Sequence, residues 1–247
     1  MNHPSKLIKS ALDLLLPRTC AVCKRRLLLY EKHICIVCQA DLPLTHLWTM
    51  AHNPMADRFN ALLQEKLEVF VPYVHAAALL FYKEDSKYRH IPQQLKYHGN
   101  TAIGRHFGKM LGARLIESAD FADADLIVPV PLHWSRKWKR GYNQAEILAQ
   151  GIAMEMRIPV RTDLLRRIRR TATQTRLGIE AKGENVAGAF CANIKKPDTI
   201  KGIRHVILID DVFTTGSTMT ECFMALRKVL PPEVRISIAT LAFVGEA

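Results

Sequence analysis

The chain has 247 residues, of which 49% are hydrophobic and 23% charged, with 12 Gly and 12 Pro. This is globular composition in a chain long enough to bury a sizeable core, and it excludes a mostly disordered, collagen-like or low-complexity protein. The balance of 35 Lys and Arg against 23 Asp and Glu gives +12, which calls for an anionic partner: a phosphate metabolite, nucleic acid or a membrane surface.

The first segment, Lys6 to Pro17, reads as an amphipathic lead-in helix stopped at Pro17. Asp13 interrupts its apolar run and an Ala-x-Ala-like cleavage site is missing, so it is not read as a signal peptide. No uncharged stretch approaches the roughly 18 residues of a membrane helix. The expectation is a cytoplasmic chain with no membrane span.

Next come Cys20-Ala21-Val22-Cys23 and Cys35-Ile36-Val37-Cys38, two C-x2-C knuckles separated by eleven residues. Each knuckle lets two thiolates reach one ion, and a hairpin between them completes a tetrahedral structural zinc site from Cys20, Cys23, Cys35 and Cys38. Disulfides are disfavoured in a reducing compartment, and a redox C-x-x-C has no need to be doubled. His33 reads as a hairpin residue, and Cys191 and Cys222 as buried or incidental thiols.

Beyond the cysteines, elements alternate. Val69 to Lys83 predicts strand around Pro72; residues 87–97 and 101–117 have helical spacing, broken at Gly99-Asn100. Leu126 to Pro131 and Val206 to Ile209 are apolar runs of the buried-strand kind. Gln144 to Met156 and Thr218 to Leu230 predict helices, and Arg235 to Val244 a last strand. The fold class is therefore α/β, a mainly parallel sheet flanked by helices, preceded by a small zinc-binding module. The expected division is 1–50 for the lead-in helix and cysteine module and 51–247 for the larger domain. In such sheets ligands bind beyond the carboxyl ends of the strands, which directs attention to Pro129 onward and Asp210 onward.

The segment from Val206 to Thr218 is the most informative. Four apolar residues are followed by Asp210 and Asp211, then by Thr214, Thr215, Gly216, Ser217 and Thr218 opening a helix. A turn of this kind aims backbone N–H groups and the positive end of a helix dipole at an anion such as a phosphate monoester. The carboxylates stand where they accept hydrogen bonds from a vicinal diol. Simple capping of the next helix requires one such residue, whereas this segment has two Asp and four Thr/Ser within nine positions. The nucleotide P-loop pattern is absent.

Asp210 to Thr218 resembles the phosphoribosyl-pyrophosphate (PRPP) loop of the type I phosphoribosyltransferases. The similarity extends to their ComF/GntX-like branch, in which a zinc module precedes such a domain. It is carried by the four cysteines, Gln94 to Gly99, Pro129 to His133, Arg140 to Glu146, Gln174-Thr175 and Asn185 to Phe190, in the family's order across essentially the whole chain. The resemblance implies that Asp210 and Asp211 hold the ribose hydroxyls, directly or through Mg²⁺, and that Thr214 to Thr218 cradle the 5′-phosphate. It places Arg136, Lys137, Lys139 and Arg140 near the pyrophosphate, with Asp210, Asp211 and Arg140 as catalytic candidates. It also implies hood elements over about 69–100 and a flap over about 166–185 bearing Gln174, Arg176 and Lys182. The family usually has Arg at the last of these positions, and Lys keeps the charge without the bidentate fork.

Residues 133–182 hold 12 Lys/Arg and 4 Asp/Glu, so +8 of the +12 lies in the implied pyrophosphate loop and flap. Trp134 and Trp138 lie among these cations; their spacing of four suits core packing on one helix face and stacking on nucleic-acid bases equally well. His133 reads as a strand-end residue making structural hydrogen bonds. The leading expectation is a Mg²⁺-dependent phosphoribosyltransferase with an unidentified acceptor. Two alternatives are a non-catalytic PRPP or nucleotide sensor, and, because some relatives are tied to competence, an accessory protein of DNA uptake that binds single-stranded DNA or a partner helicase.

Overall fold

The computed structural model describes residues 17–67, 71–97, 100–169, 188–192 and 200–245, without the side chains of 96, 97, 136, 137 and 139. The lead-in helix and residues 170–185 of the expected flap lie outside this set. The strands are β1 (Ala76–Phe81), β2 (Leu126–Pro129), β3 (Leu165–Arg167), β4 (Phe190–Ala192), β5 (His205–Phe213) and β6 (Arg235–Phe243). The helices are α1 (Ile36–Ala40), α2 (Pro54–Lys66), α3 (His90–Tyr97), α4 (Thr101–Ile116), α5 (Trp134–Arg140), α6 (Gln144–Met156) and α7 (Ser217–Arg227).

Strands β1, β6, β5 and β2 lie side by side in that order, all parallel, while β3 and β4 form a separate antiparallel pair. The alternation of strand and helix in the sequence produces this arrangement, since parallel neighbours need a crossover between them. Both edges are covered. Phe81 and Thr45 exchange backbone bonds with Pro43 and Leu79 beside β1, and Ile127 bonds to Pro159 and Arg161 beside β2.

The central strands are apolar on both faces, as a doubly covered sheet requires. Ile207 and Ile209 of β5 face one cluster with Phe107 and Leu111 of α4 and Leu148 and Ile152 of α6. Val206 and Leu208 face the other, with Phe59 and Leu63 of α2 and Phe223 and Leu226 of α7. Each of these large side chains is buried, worth about 1.5–3 kcal/mol apiece. Helices α4 and α6 approach closely because glycine meets backbone: a Cβ on Gly108 would lie 2.4 Å from the Leu148 carbonyl oxygen.

The elements differ from the sequence expectation in several places: Pro72 lies outside any strand and β1 begins only at Ala76, while helix α2 and the β3–β4 pair were not anticipated. The apolar run ends at Ile209, but β5 continues to Phe213, with Asp210 opposite Thr240 and Phe213 opposite Phe243. The neighbouring strand β6 is nine residues long and supplies ladder partners past the apolar run. Asp210 and Asp211 are thus held in the strand itself.

Candidate functional site

The carboxyl ends of all four parallel strands open into one cleft of about 1100 Å³. Its lining includes Tyr82 to Asp85 after β1, Val130 to Leu132 after β2, Asp210 to Val212 within β5 and Val244 after β6. This is where ligands sit in open α/β sheets.

Strand β5 delivers Asp210 and Asp211 into the cleft, both half-buried. Asp210 Oδ1 accepts a hydrogen bond from the Asp211 backbone N–H at 2.8 Å, which fixes that carboxylate against its own strand. Of the following turn, Thr214, Thr215 and Thr218 line the cleft. Thr215 Oγ1 and Ser217 Oγ lie 3.0 Å apart and hold the turn closed. Gly216 is the N-cap of α7 at φ 85°, and a Cβ there would meet Leu62 Cδ1 at 2.6 Å. No side chain caps this helix from Gly216, so its first N–H groups point toward the turn.

The loop after β2 is built with similar economy of parts. Asn143 caps α6 through Ala145 N–H and donates to the Val130 carbonyl, at 3.1 and 2.9 Å. Tyr142 donates to the Leu95 carbonyl of α3 at 2.6 Å. Arg140, at the end of α5, donates to Gln144 Oε1 at 3.1 Å and lines the cleft. His133 is buried with Nδ1 2.8 Å from Ser135 Oγ, the structural role expected of it.

The structure thus brings Asp210, Asp211, Thr214, Thr215, Thr218 and Arg140 to one cleft, with Gly216 and Ser217 shaping the turn behind. Arg136, Lys137 and Lys139 fall within α5, and their side chains lie outside the description, as do Gln174, Arg176 and Lys182 altogether. Arg58 of α2, Lys83, Glu84 and Asp85 after β1, and Arg167 of β3 also line the cleft and were not singled out from sequence. The strand-end rule that pointed to Pro129 and Asp210 covers residues 82–85 equally. Arg58 had no local signal, because its helix reaches the cleft only through tertiary packing.

The cysteine expectation is met in geometry. The Sγ atoms of Cys20, Cys23, Cys35 and Cys38 lie within 4.8 Å of one another. Those of Cys23 and Cys35 are 3.7 Å apart, close to the roughly 3.8 Å edge of a tetrahedron with 2.3 Å zinc–sulfur bonds. Backbone N–H groups of Val22 and Cys35 point at Cys20 Sγ, at 3.4 and 3.3 Å. Burial pushes the Cys35 thiol up, but the Cys38 amide and the Arg25 side chain outweigh it and bring it down to about 6. Four soft thiolates in this arrangement are a fitting donor set for structural zinc. Glu31, buried in the intervening hairpin, accepts from Arg25 and from the Leu28 and Ile36 amides at 2.7–2.8 Å. His33 lies outside the thiol group, its ring tilted against that of His106 with centroids 5.1 Å apart. Cys222 is fully buried, and burial first and the charge of Asp210 second raise its thiol well above the usual value.

No family model matches the chain. Competence protein F of Haemophilus influenzae is 33% identical over 147 residues, 58% of this chain and 63% of that protein, so the match spans less than two thirds of its length. DNA utilization protein YhgH of Escherichia coli (strain K12) is 28% identical over 228 residues, 84% of this chain and 90% of that protein. The chain is similar to competence and DNA utilization proteins. DNA utilization protein YhgH of Salmonella typhimurium is 34% identical over 132 residues, 52% of this chain and 56% of that protein. A solved structure of the allosteric regulatory enzyme of purine biosynthesis aligns with TM-score 0.34 and 24% identity, covering 55% of this chain and 25% of that one. Among the described residues no helix is long and apolar enough to cross a membrane.

Proposed function

We propose that the cleft binds PRPP with Mg²⁺ and that the protein transfers its phosphoribosyl group to an acceptor. The observation that carries this reading is the delivery of Asp210 and Asp211 into a cleft of about 1100 Å³ immediately before a hydroxyl-rich helix N-terminus. In this reading Asp210 and Asp211 accept hydrogen bonds from the ribose hydroxyls. Thr214, Thr215 and Thr218, with the N–H groups opening α7, hold the 5′-phosphate, and Ser217 keeps the turn in shape. Arg140 and Arg167 meet the pyrophosphate, assisted by Arg136, Lys137 and Lys139 of α5 and by Gln174, Arg176 and Lys182 of the flap.

In the transfer, the bond from C1′ to the pyrophosphate oxygen breaks and its electron pair leaves with the pyrophosphate. A lone pair of the acceptor forms the new bond to C1′, and the acceptor gives up a proton. Arginine donors at the leaving group stabilise its growing negative charge in a water-poor cleft. Oxygen donors from the Asp pair suit a hard cation, and Mg²⁺ bound with the substrate supplies further charge neutralisation there. The loop of residues 82–85 and Pro92 and Gln93 of α3 line the same cleft, and in this reading they are the parts of the hood (about 69–100) that meet the acceptor. We assign Cys20, Cys23, Cys35 and Cys38 to one structural zinc ion within a module of residues 1–50, ahead of a domain of 51–247. Thiolates of this kind persist in a reducing compartment, so the cytoplasm is the proposed location.

The test is a thermal-shift series with PRPP, Mg²⁺ and both, followed by assay of pyrophosphate release. Stabilisation by Mg²⁺-PRPP is expected; its absence at saturating PRPP sinks this reading. A second reading is favoured by the names of the relatives, one for competence and the others for DNA utilization. It is an accessory role in DNA uptake or use through single-stranded DNA or a partner helicase. Stabilisation by PRPP without turnover would instead mark the cleft as a sensor.

A further inference from the structure

We infer that helix α5, at the rim of the cleft, is a stacking platform for single-stranded DNA. Two of the chain's three tryptophans stand on it, Trp134 and Trp138, and they are 73% and 90% exposed, whereas Trp48 is 3% exposed. Four residues apart, they share one face of the helix. Indoles are normally largely buried, so two left in water on a seven-residue helix mark a surface made for a partner. The buried ring of His133 lies 5.5 Å from the ring of Trp134 and braces it from the inner side.

Charge identifies the partner. The helix sequence, WSRKWKR, interleaves the two indoles with Arg136, Lys137, Lys139 and Arg140 and contains no acidic residue. Flat π-faces among cations match a polyanion whose bases are unpaired and free to stack. A duplex hides those base faces. A membrane-surface helix buries a continuous apolar face, and this seven-residue helix offers two indoles and no other apolar residue. Leu132 and Arg140, on either side of the tryptophans in the chain, both line the cleft, so a strand lying on α5 passes its mouth. The inference rests on the second reading above for the choice of DNA over RNA, and it stands whether or not the cleft takes PRPP.

The experiment is titration of the full chain with a dT oligonucleotide, read by tryptophan fluorescence and by anisotropy of the labelled oligonucleotide. Because Trp48 is buried, quenching reports the α5 pair. The wild type is expected to bind with quenching that weakens as salt rises, and W134A/W138A to lose at least about tenfold in affinity. W134F/W138F, which keeps flat rings, is expected to retain affinity within about threefold. Equal affinity of the alanine variant and the wild type overturns the placement on α5 while leaving the DNA reading intact. Failure of the wild type to bind any oligonucleotide overturns both. Preference for a duplex, for an RNA strand of the same length or for anionic phospholipid vesicles overturns the assignment to single-stranded DNA. Thermal shift by Mg²⁺-PRPP on the same samples reads the cleft separately.

Discussion

The side-chain amide of Gln94 donates to the carbonyl oxygen of Ala21 at 2.6 Å, joining helix α3 to the first cysteine knuckle. Tyr88 reinforces the junction by donating to Asp41 Oδ2 at 2.8 Å. Beneath these bonds, Cys20, Cys35 and Cys38 belong to the same apolar cluster as Phe107, Leu148 and Ile207. The cysteine segment is therefore packed into the core of the sheet. Removal of zinc by a strong chelator is expected to lower the midpoint of the whole chain's thermal transition by about 10 °C, with one cooperative step. A separate low-temperature step, with the main transition unmoved, would contradict this coupling. Metal analysis should find one zinc per chain, lost in Cys38→Ser.

The position of Asp211 in a strand, half-buried at the cleft, gives it little freedom to be replaced. Asp211→Asn keeps the shape and removes the charge. It is expected to weaken Mg²⁺-PRPP binding at least about tenfold by calorimetry, the scale of a lost charge-assisted contact. Unchanged affinity would sink the assignment of this carboxylate to the ribose.

The contact between α4 and α6 depends on Gly108. Gly108→Ala would set a methyl group 2.4 Å from the backbone oxygen of Leu148, which cannot swing aside as a side-chain tip can. Denaturant unfolding is expected to show a loss of about 1–3 kcal/mol. A neutral substitution would mean that the helices separate without cost.

His205 opens β5 with 1% exposure, its Nδ1 2.9 Å from Asp123 Oδ1 and its Nε2 2.9 Å from Ser237 Oγ. Burial lowers its pKa below the ordinary 6.5, and the nearby Arg235 charge adds to this against the pull of Asp123. A depressed folded-state value means that this contribution to stability is fully present above about pH 6.5 and is lost as pH falls through the folded value. Thermal midpoints should decline from pH 7 toward pH 5 in the wild type and more shallowly in His205→Gln. Parallel slopes would rule His205 out as the source.

The Asp-Asp-turn-helix segment and the two cysteine knuckles were legible because their chemistry is local. Residues from Val206 to Thr218 carry strand periodicity, both carboxylates and the hydroxyl turn within one stretch, and the knuckles carry two ligands each. The extent of β5 was not legible: Asp210, Val212 and Phe213 pair with β6, and a ladder partner some thirty residues away leaves no mark on local hydropathy. Trp134 and Trp138 read equally well as core or surface, since helical spacing states that two residues share a face without stating what the face meets.

By itself, then, the sequence determined the four strands of the parallel sheet, helices α3, α4, α6 and α7, the four-thiol set, and the Asp pair and hydroxyl turn proposed to hold a phosphorylated sugar. These follow from periodicity and from side chains adjacent in the chain. Tertiary structure alone decided that Arg58, Lys83 and Arg167 share a cleft with Asp210 and Asp211, that the cysteine module joins the main core, and that both α5 tryptophans face water. Those facts depend on contacts between residues far apart in sequence, whose distances are set by how the helices pack across the sheet.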